Sequence, residues 1–436
     1  MHNEKIKKVL IITNLLYAAP RISGIAKYLT EFGWEPIILT PPVDSDSRNA
    51  LRCSSNLGEQ IKIIKTNGYR DSLWILKKIL SLFKSHNSKL AQQKKCSRRT
   101  KAIISAALRT YQTFFSYPDK DRNWLKTALK VGDEIIKKEK ISILLSSSAP
   151  YTSHLIACKL KKQFGLPWVA DLRDLWAQNA NYPYPWWRRV FEKKLEVKTL
   201  SSANALITVS EPWAKKLTYT YPQKKVYVIT NGFDSNNIKQ VTQLTHKFSI
   251  IYTGQIYSHK QNPTKLVQAI QNLVVAGHLN KKDLEINFYG PTNYSLQWLI
   301  NENSELSTAI KQCGLIPWES ALQKQREAQL LLLLDWEDTL EKGVYPRKIF
   351  EYLAAGRPIL SVGGSSGDVV ENLLAQTKAG VCCRTMTDIE TTLKIFYNEY
   401  KNAGRVTYNG DLDEINKYNY RVLAEQFDIA LSEADK

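Results

Sequence analysis

Two cations and a carboxylate follow a proline in the stretch Gly343-Val-Tyr-Pro346-Arg347-Lys348-Ile-Phe-Glu351-Tyr-Leu-Ala-Ala-Gly356. Proline suits the first turn of a helix and glycine the position just past its end, so the spacing predicts a helix from Pro346 to Gly356, with Pro358 opening a strand. A helix start offers unpaired N–H groups and the positive end of the dipole. Arg347 and Lys348 add charge, and together these features suit a diphosphate. Glu351, one turn in, can accept hydrogen bonds from two vicinal ribose hydroxyls. A plain capped helix, with Glu351 relieving the dipole and Lys348 in solvent, accounts for the same residues.

Three other stretches place reactive side chains at the ends of apolar runs. In Tyr252-Thr-Gly254-Gln-Ile-Tyr-Ser-His-Lys260 a strand-like run stops at a glycine and a lysine follows in the loop. Lys260 can meet a phosphate or simply be solvated. Tyr289-Gly290 ends another run, and Gly314-Leu-Ile316-Pro317-Trp-Glu319 forms a further loop. In the first half, Ser146-Ser-Ser-Ala-Pro-Tyr151 and Trp168-Val-Ala-Asp171-Leu-Arg173-Asp174-Leu-Trp176 stand at strand ends. Asp171 and Asp174 can serve an acceptor hydroxyl, with Arg173 gripping one of them through a bidentate pair. The competing reading is an Arg–Asp knot that only anchors the loop.

The segment around Glu351 resembles the donor-site signature of retaining glycosyltransferases of the GT-B fold, family four in particular. Its Pro-x-Lys-x-x-Glu-Tyr form is similar to bacterial surface-polysaccharide transferases. That family carries two glutamates eight positions apart. Glu351 takes the second place, Gly343 stands at the first, and Glu341 lies two residues from it. The family also carries an arginine and a lysine after the glycine; here Gln255 and Lys260 stand there. Asp171-x-Arg173-Asp174-x-Trp176 resembles a segment of related transferases, and Gly314–Glu319 the loop that cradles a nucleotide base. The resemblance runs from Val9 to about Leu431 and is weakest over residues 45–115.

This resemblance implies a nucleoside-diphosphate sugar held by Gly254, Lys260, Tyr289, Gly290, Ile316, Pro317, Pro346, Arg347, Lys348 and Glu351. Asp171, Arg173 and Asp174 would form the catalytic, acceptor-side group. It implies transfer with retention to a glycan or lipid-linked saccharide, with no cofactor beyond the donor. No Asp-x-Asp falls at a strand end in such a site, since Asp411-Leu-Asp413 follows the last unit. No His/Cys cluster has metal spacing either, so no metal is expected.

The elements that must position these residues repeat one scheme. Apolar runs at Val9–Thr13, Pro36–Leu39, Ile61–Ile64, Ile143–Ser146, Val169–Asp171, Ala205–Val209 and Val226–Ile229 alternate with helical patterns such as Ile22–Phe32. Continuous Val/Ile/Leu runs divided by helices imply parallel sheets covered on both faces. A polar stretch, Ser235–Lys247, interrupts the scheme. It restarts with Phe248–Thr253, Glu285–Tyr289, Leu330–Leu334, Pro358–Val362 and Gly380–Cys383. The expected fold is α/β, of GT-B type: two Rossmann-like parallel-sheet domains, 1–240 on the acceptor side and 241–436 for the nucleotide sugar, facing across a cleft. The last helical pattern, Tyr418–Leu431, is the element that would cross back.

At 436 residues two cores are the natural prior. Lys and Arg outnumber Asp and Glu by 61 to 41, a formal charge of +20, which favours phosphate-bearing partners. The six cysteines lack C-x-x-C spacing, and a chain of this size needs no disulfide staples. Val9–Thr13 is too short for a signal core or a span. The expectation is a cytoplasmic protein, peripheral on the inner face of the plasma membrane. The membrane expectation rests on an insert, 72–118, with ten Lys/Arg and no acid. Within it Leu76, Ile79, Leu80 and Phe83 share a helical face beside Lys77, Lys78 and Lys84. Tyr182-Pro-Tyr-Pro-Trp-Trp-Arg-Arg189 reads as a second aromatic, basic loop. A core-facing helix with a solvated basic side is the alternative for the insert. No nucleic-acid-binding motif appears, and no nucleic-acid partner is expected. A sugar-nucleotide epimerase and a non-catalytic phosphate- or nucleic-acid-binding protein are the rival functions.

Overall fold

The computed structural model describes residues 6–18, 20–42, 61–68, 71–74, 110–179, 182, 184–234, 243–257, 260–338 and 341–436. The helical face of Leu76, Ile79, Leu80 and Phe83, the cations beside it and the basic cluster Lys94–Lys101 lie outside these residues. Two compact units emerge: Met1–Ile229 with Ala424–Lys436, and Thr230–Leu423. The sequence places a single boundary at 240/241. The structure divides about ten residues earlier, and the end of the chain belongs to the first unit.

In the first unit, seven strands among the described residues form one parallel sheet: β1 (Lys7–Ile12), β2 (Trp34–Thr40), β3 (Lys62–Lys65), β4 (Ile143–Ser148), β5 (Trp168–Leu172), β6 (Ala205–Thr208) and β7 (Lys225–Val228). Their order is β3-β2-β1-β4-β5-β6-β7. Val9 to Ile12, Ile143 to Ser148 and Trp168 to Leu172 are buried throughout, as a sheet covered on both faces requires. The order reverses between β1 and β4. Such a switch point leaves a crevice at the carboxyl ends of the strands, where open α/β sheets bind ligands. Ser146–Ser148 and Asp171 stand at those ends.

The closing helix, Tyr420–Ala434, buries Leu423, Phe427, Ala430 and Leu431 at helical spacing. Within the first unit, Trp34 Nε1 donates to Asp428 at 2.8 Å, and the Arg21 guanidinium lies 5.2 Å from the Phe427 ring centroid. Arg21 starts the helix Arg21–Leu29; a short turn, Thr30–Phe32, completes the expected helical stretch and ends on Gly33 at φ 79°. The stretch after Tyr182 is not a loop throughout. Pro185 caps a helix, Trp186–Leu200, on which Arg188 is buried.

The second unit holds a six-stranded parallel sheet among the described residues: β8 (Phe248–Thr253), β9 (Leu284–Tyr289), β10 (Ile310–Gly314), β11 (Leu330–Leu334), β12 (Ile359–Val362) and β13 (Gly380–Cys383), in the order β10-β9-β8-β11-β12-β13. β10 has no counterpart among the sequence-based strands. It is an edge strand pairing only β9, and Ile-Lys-Gln-Cys-Gly carries no apolar run because alternate side chains face solvent. Among the described residues, no helix is long and apolar enough to cross a membrane.

Candidate functional site

The helix, Lys348–Ala355, begins two residues after the expected start at Pro346, which lies before the cap, and stops at Gly356 as expected. Arg347 caps it, and Gly356 ends it at φ 62° with its N–H on the Leu353 carbonyl. Ile349, Phe350, Tyr352 and Leu353 pack against Ile251, Leu331, Leu333 and Ile359 of the sheet. That packing fixes the helix's rotation and directs Lys348 and Glu351, three residues apart, to a shared edge.

Lys348 is not solvated. Its Nζ is closed off from water, has no hydrogen-bond partner among the described residues, and lies 3.6 Å from the Tyr252 ring centroid. Gly254 makes room for it: a Cβ there would sit 3.2 Å from Nζ. Burial pushes the ammonium down to about 7, against the opposing pull of Glu351. A buried ammonium with no hydrogen-bond partner among the described residues, offset only by the pull of Glu351, is costly, and a bound phosphate would relieve that cost.

Glu351 is tied into a polar network. Gln325 Nε2 donates to Glu351 Oε2 at 3.4 Å and to Thr253 Oγ1 at 2.9 Å. The Tyr352 hydroxyl accepts from the Thr253 N–H at 3.1 Å and donates to the Leu332 carbonyl at 3.2 Å. Gln325 Oε1 is buried without a hydrogen-bond partner among the described residues. Gln325 arrives on the helix Trp318–Glu327, which Pro317 caps. The loop through Ile316, half-buried, and Pro317, exposed, thus leads into the helix that steers Glu351.

Three glycines close the strand exits. Gly254 N–H donates to the Tyr289 carbonyl at 2.7 Å, and Gly290 N–H to the Gly314 carbonyl at 2.9 Å. A Cβ on Gly290 would stand 2.1 Å from the Gly254 carbonyl oxygen, so only glycine fits. The remaining donor candidates are more open: Pro346 is half-buried and Arg347 exposed. Lys260 Nζ lies 3.6 Å from Asp338 and 4.2 Å from the Trp336 ring centroid, in the loop that leaves β11. Glu341 turns into its own loop, where its carboxylate accepts the Gly343 N–H at 3.1 Å.

The acceptor-side candidates separate. Asp171 is fully buried and saturated: Arg21 donates to both its oxygens, at 3.2 and 2.9 Å, and Ser147 Oγ donates to it at 2.7 Å. Arg173 pairs with Asp174 instead, through Nε at 3.3 Å and an Nη at 3.1 Å to one carboxylate oxygen, and also reaches the Tyr17 carbonyl. The Asp174 side chain is 43% exposed, so its carboxylate meets solvent while that of Asp171 does not. Asp171 therefore anchors Arg21, and of the two carboxylates only that of Asp174 is open to solvent. Nearby, Tyr151 stacks on Trp176 at 4.9 Å, and Asp119 accepts from the Thr152 N–H and hydroxyl, each at 2.8 Å, at the start of the helix Thr152–Phe164.

Sequence reading did not single out Gln325, Thr253, Tyr352, Ser147 or Arg21. It also passed over Asp335, just beyond β11. Burial, then neighbouring Asp368, pushes its carboxyl up to about 7. None of these residues stands out by local spacing.

Residues 93–237 match the family model described as Glycosyltransferase Family 4. The chain carries a glycosyltransferase domain. With it comes the enzyme class expected from the sequence, glycosyl transfer. No curated protein matches the sequence. Among solved structures, a sucrose-phosphate synthase from Thermosynechococcus elongatus is similar at TM-score 0.63 and 11% identity, covering 98% of both chains. A TarM variant from S. aureus, in complex with fondaparinux, α-GlcNAc-glycerol and UDP, is similar at TM-score 0.58 and 11% identity, covering 98% of this chain and 99% of that one. A Listeria monocytogenes protein assigned as a UDP-N-acetylglucosamine 2-epimerase is similar at TM-score 0.54 and 9% identity, covering 98% and 96%. At these identities the likeness establishes the fold, which is GT-B: two Rossmann-like parallel-sheet units of seven and six strands.

Proposed function

We propose that this glycosyltransferase moves a sugar from a nucleoside-diphosphate sugar, held on the second unit, to a saccharide acceptor served by the first. The acceptor is a lipid-linked saccharide of surface-polysaccharide assembly, used by a protein resting on the inner face of the plasma membrane. The observation that supports the donor class is the enclosed Nζ of Lys348, three residues before Glu351 and without a hydrogen-bond partner among the described residues. A diphosphate supplies the hydrogen-bonding oxygens that no described residue offers Lys348, and a ribose supplies hydroxyls for the carboxylate that Gln325 holds.

In the reaction, the bond between the anomeric carbon and the diphosphate oxygen breaks, and negative charge grows on that oxygen. Lys348 and the helix start at Pro346 and Arg347 stabilise the charge, with Lys260 as a second cation. The acceptor oxygen bonds to the same face of the sugar, giving retention, and its proton passes to the departing diphosphate oxygen. Asp174, oriented by Arg173, is the carboxylate placed to influence that hydroxyl. The reading calls on no metal and no cofactor beyond the donor, because side chains and the helix start provide the positive charge.

A thermal-shift panel of UDP, GDP, ADP and CMP sugars tests the donor class, since a ligand at a hundred times its dissociation constant stabilises by about 2.7 kcal/mol. Nucleoside-diphosphate release that requires a lipid-linked saccharide would then support the acceptor. A panel with no stabilising nucleotide sugar contradicts the proposal.

A further inference from the structure

The helix Trp186–Leu200 sorts its charges by side. Its two acids are both about 1% exposed: Glu192 accepts from Arg188 and from Trp176 Nε1, and Glu196 accepts from the Ala177 N–H and the Tyr221 hydroxyl. Arg189, Lys193 and Lys194 face outward. Among them stand exposed large apolar side chains: Trp186 is 79% exposed, Phe191 57% and Val190 47%. The solvent side of this helix is therefore aromatic and purely basic.

A second segment joins it. Phe114 and Phe115, in the helical residues 110–115, are 61% and 56% exposed, and Phe114 lies 5.6 Å from the Trp187 ring. Buried Arg188 fastens the two segments together. It donates to the carbonyls of Gln112, Thr113, Ser116 and Pro118 while paired with Glu192. A buried, fully bonded arginine thus holds Phe114 against Trp187, which in turn meets Phe191 edge-on at 6.5 Å. Contiguous apolar surface rimmed by one sign of charge marks a binding face.

We infer that this ridge, Phe114, Phe115, Trp186, Val190 and Phe191 with its basic rim, docks the first unit on an anionic lipid surface. Charge complementarity argues for lipid as the occupant. The rim carries only cations and the acids are turned inward, which matches an anionic leaflet. Tryptophan and phenylalanine are side chains that settle at the boundary between headgroups and acyl chains. The inference deepens the membrane part of the proposed function and rests on that reading for the acceptor's location.

The test is co-sedimentation of the full chain with phosphatidylcholine vesicles, with and without phosphatidylglycerol, at low salt and at about 0.5 M salt, where the Debye length shrinks below ~5 Å. Wild-type protein should pellet with the anionic vesicles and retain part of that binding in high salt. The double variant W186S/F191S should lose about tenfold or more of the salt-resistant part. The triple variant R189Q/K193Q/K194Q should lose roughly a hundredfold at low salt, at about 1 kcal/mol per charge. All these side chains are exposed, so thermal unfolding should stay unchanged. Three results would overturn the inference: wild-type protein that ignores anionic vesicles at low salt, variants that bind like wild type, or a dimer broken by the variants in the absence of vesicle binding. Pyrophosphate binding is measured on the same samples. In the wild-type protein, no vesicle binding with pyrophosphate bound is a failure of the ridge alone, and vesicle binding with no pyrophosphate bound is a failure of the donor reading alone.

Discussion

Lys348 points its Nζ at the face of the Tyr252 ring, 3.6 Å from the centroid, and no acceptor among the described residues reaches it. A ring face attracts a cation, but it replaces only part of the hydration lost on burial. The site is therefore electrostatically unfinished. The sheet provides the space through Gly254, and the helix Lys348–Ala355 provides the charge.

Glu351 gives the first prediction. If it holds ribose hydroxyls, Glu351→Gln should weaken nucleoside-diphosphate binding by roughly tenfold, the scale of a hydrogen bond to a charged group. Inorganic pyrophosphate, which has no ribose, should be weakened less, only through the lost pull of Glu351 on the Lys348 ammonium. Gln325→Leu should act in the same direction, because it removes the amide that fixes the carboxylate. Equal weakening of both ligands would show that Glu351 serves the helix and not the sugar.

Asp171 and Asp174 should part company. Asp171→Ala leaves Arg21, 2% exposed, without its carboxylate, and should cost about 3–5 kcal/mol in urea unfolding. Asp174→Ala breaks a half-exposed pair and should cost under about 1 kcal/mol while slowing turnover. An Asp171→Ala variant as stable as wild type would remove the anchoring role.

Gly290→Ala should be poorly tolerated. The new Cβ would meet backbone, the Gly254 carbonyl at 2.1 Å, and backbone cannot swing aside as a side chain can. The expected cost is about 1–3 kcal/mol, with loss of pyrophosphate binding as Gly254 shifts against Lys348. Wild-type stability in this variant would mean that the two strand exits have slack.

Much of the sheet architecture was legible because buried parallel strands must be continuous apolar runs, as Leu330–Leu334 and Ile143–Ser148 are. β10 was not, because an edge strand with alternate faces in solvent has no such run. In the site, Pro346, Lys348 and Glu351 showed themselves through helix punctuation and spacing. The burial of Lys348 did not, since it depends on Tyr252 and Gly254, nearly a hundred positions away. The partner of Asp171 is also beyond local reading. Arg21 is 150 residues distant, whereas Arg173 is two residues away and reads as the natural mate. Local pattern reports which face a residue takes; only the tertiary fold decides which side chain it meets.

Proton linkage at Lys348 tests the central claim most directly. In the free protein the ammonium is pushed down to about 7 from its ordinary 10.5. Between those values the unfolded chain binds a proton that the folded one has released. Stability should therefore rise with pH over that window, and Lys348→Met should remove the rise. A bound diphosphate favours the charged form, so the protein should take up a proton as it binds. The measurement is titration calorimetry of pyrophosphate at about pH 8, a unit above that depressed value, in two buffers of different ionisation enthalpy. The wild-type protein should show proton uptake. Lys348→Met should show none, bind roughly ten- to a hundredfold more weakly, and be no less stable without ligand. Identical affinity and identical proton uptake in the two proteins would contradict the assignment of Lys348 as the diphosphate's cation.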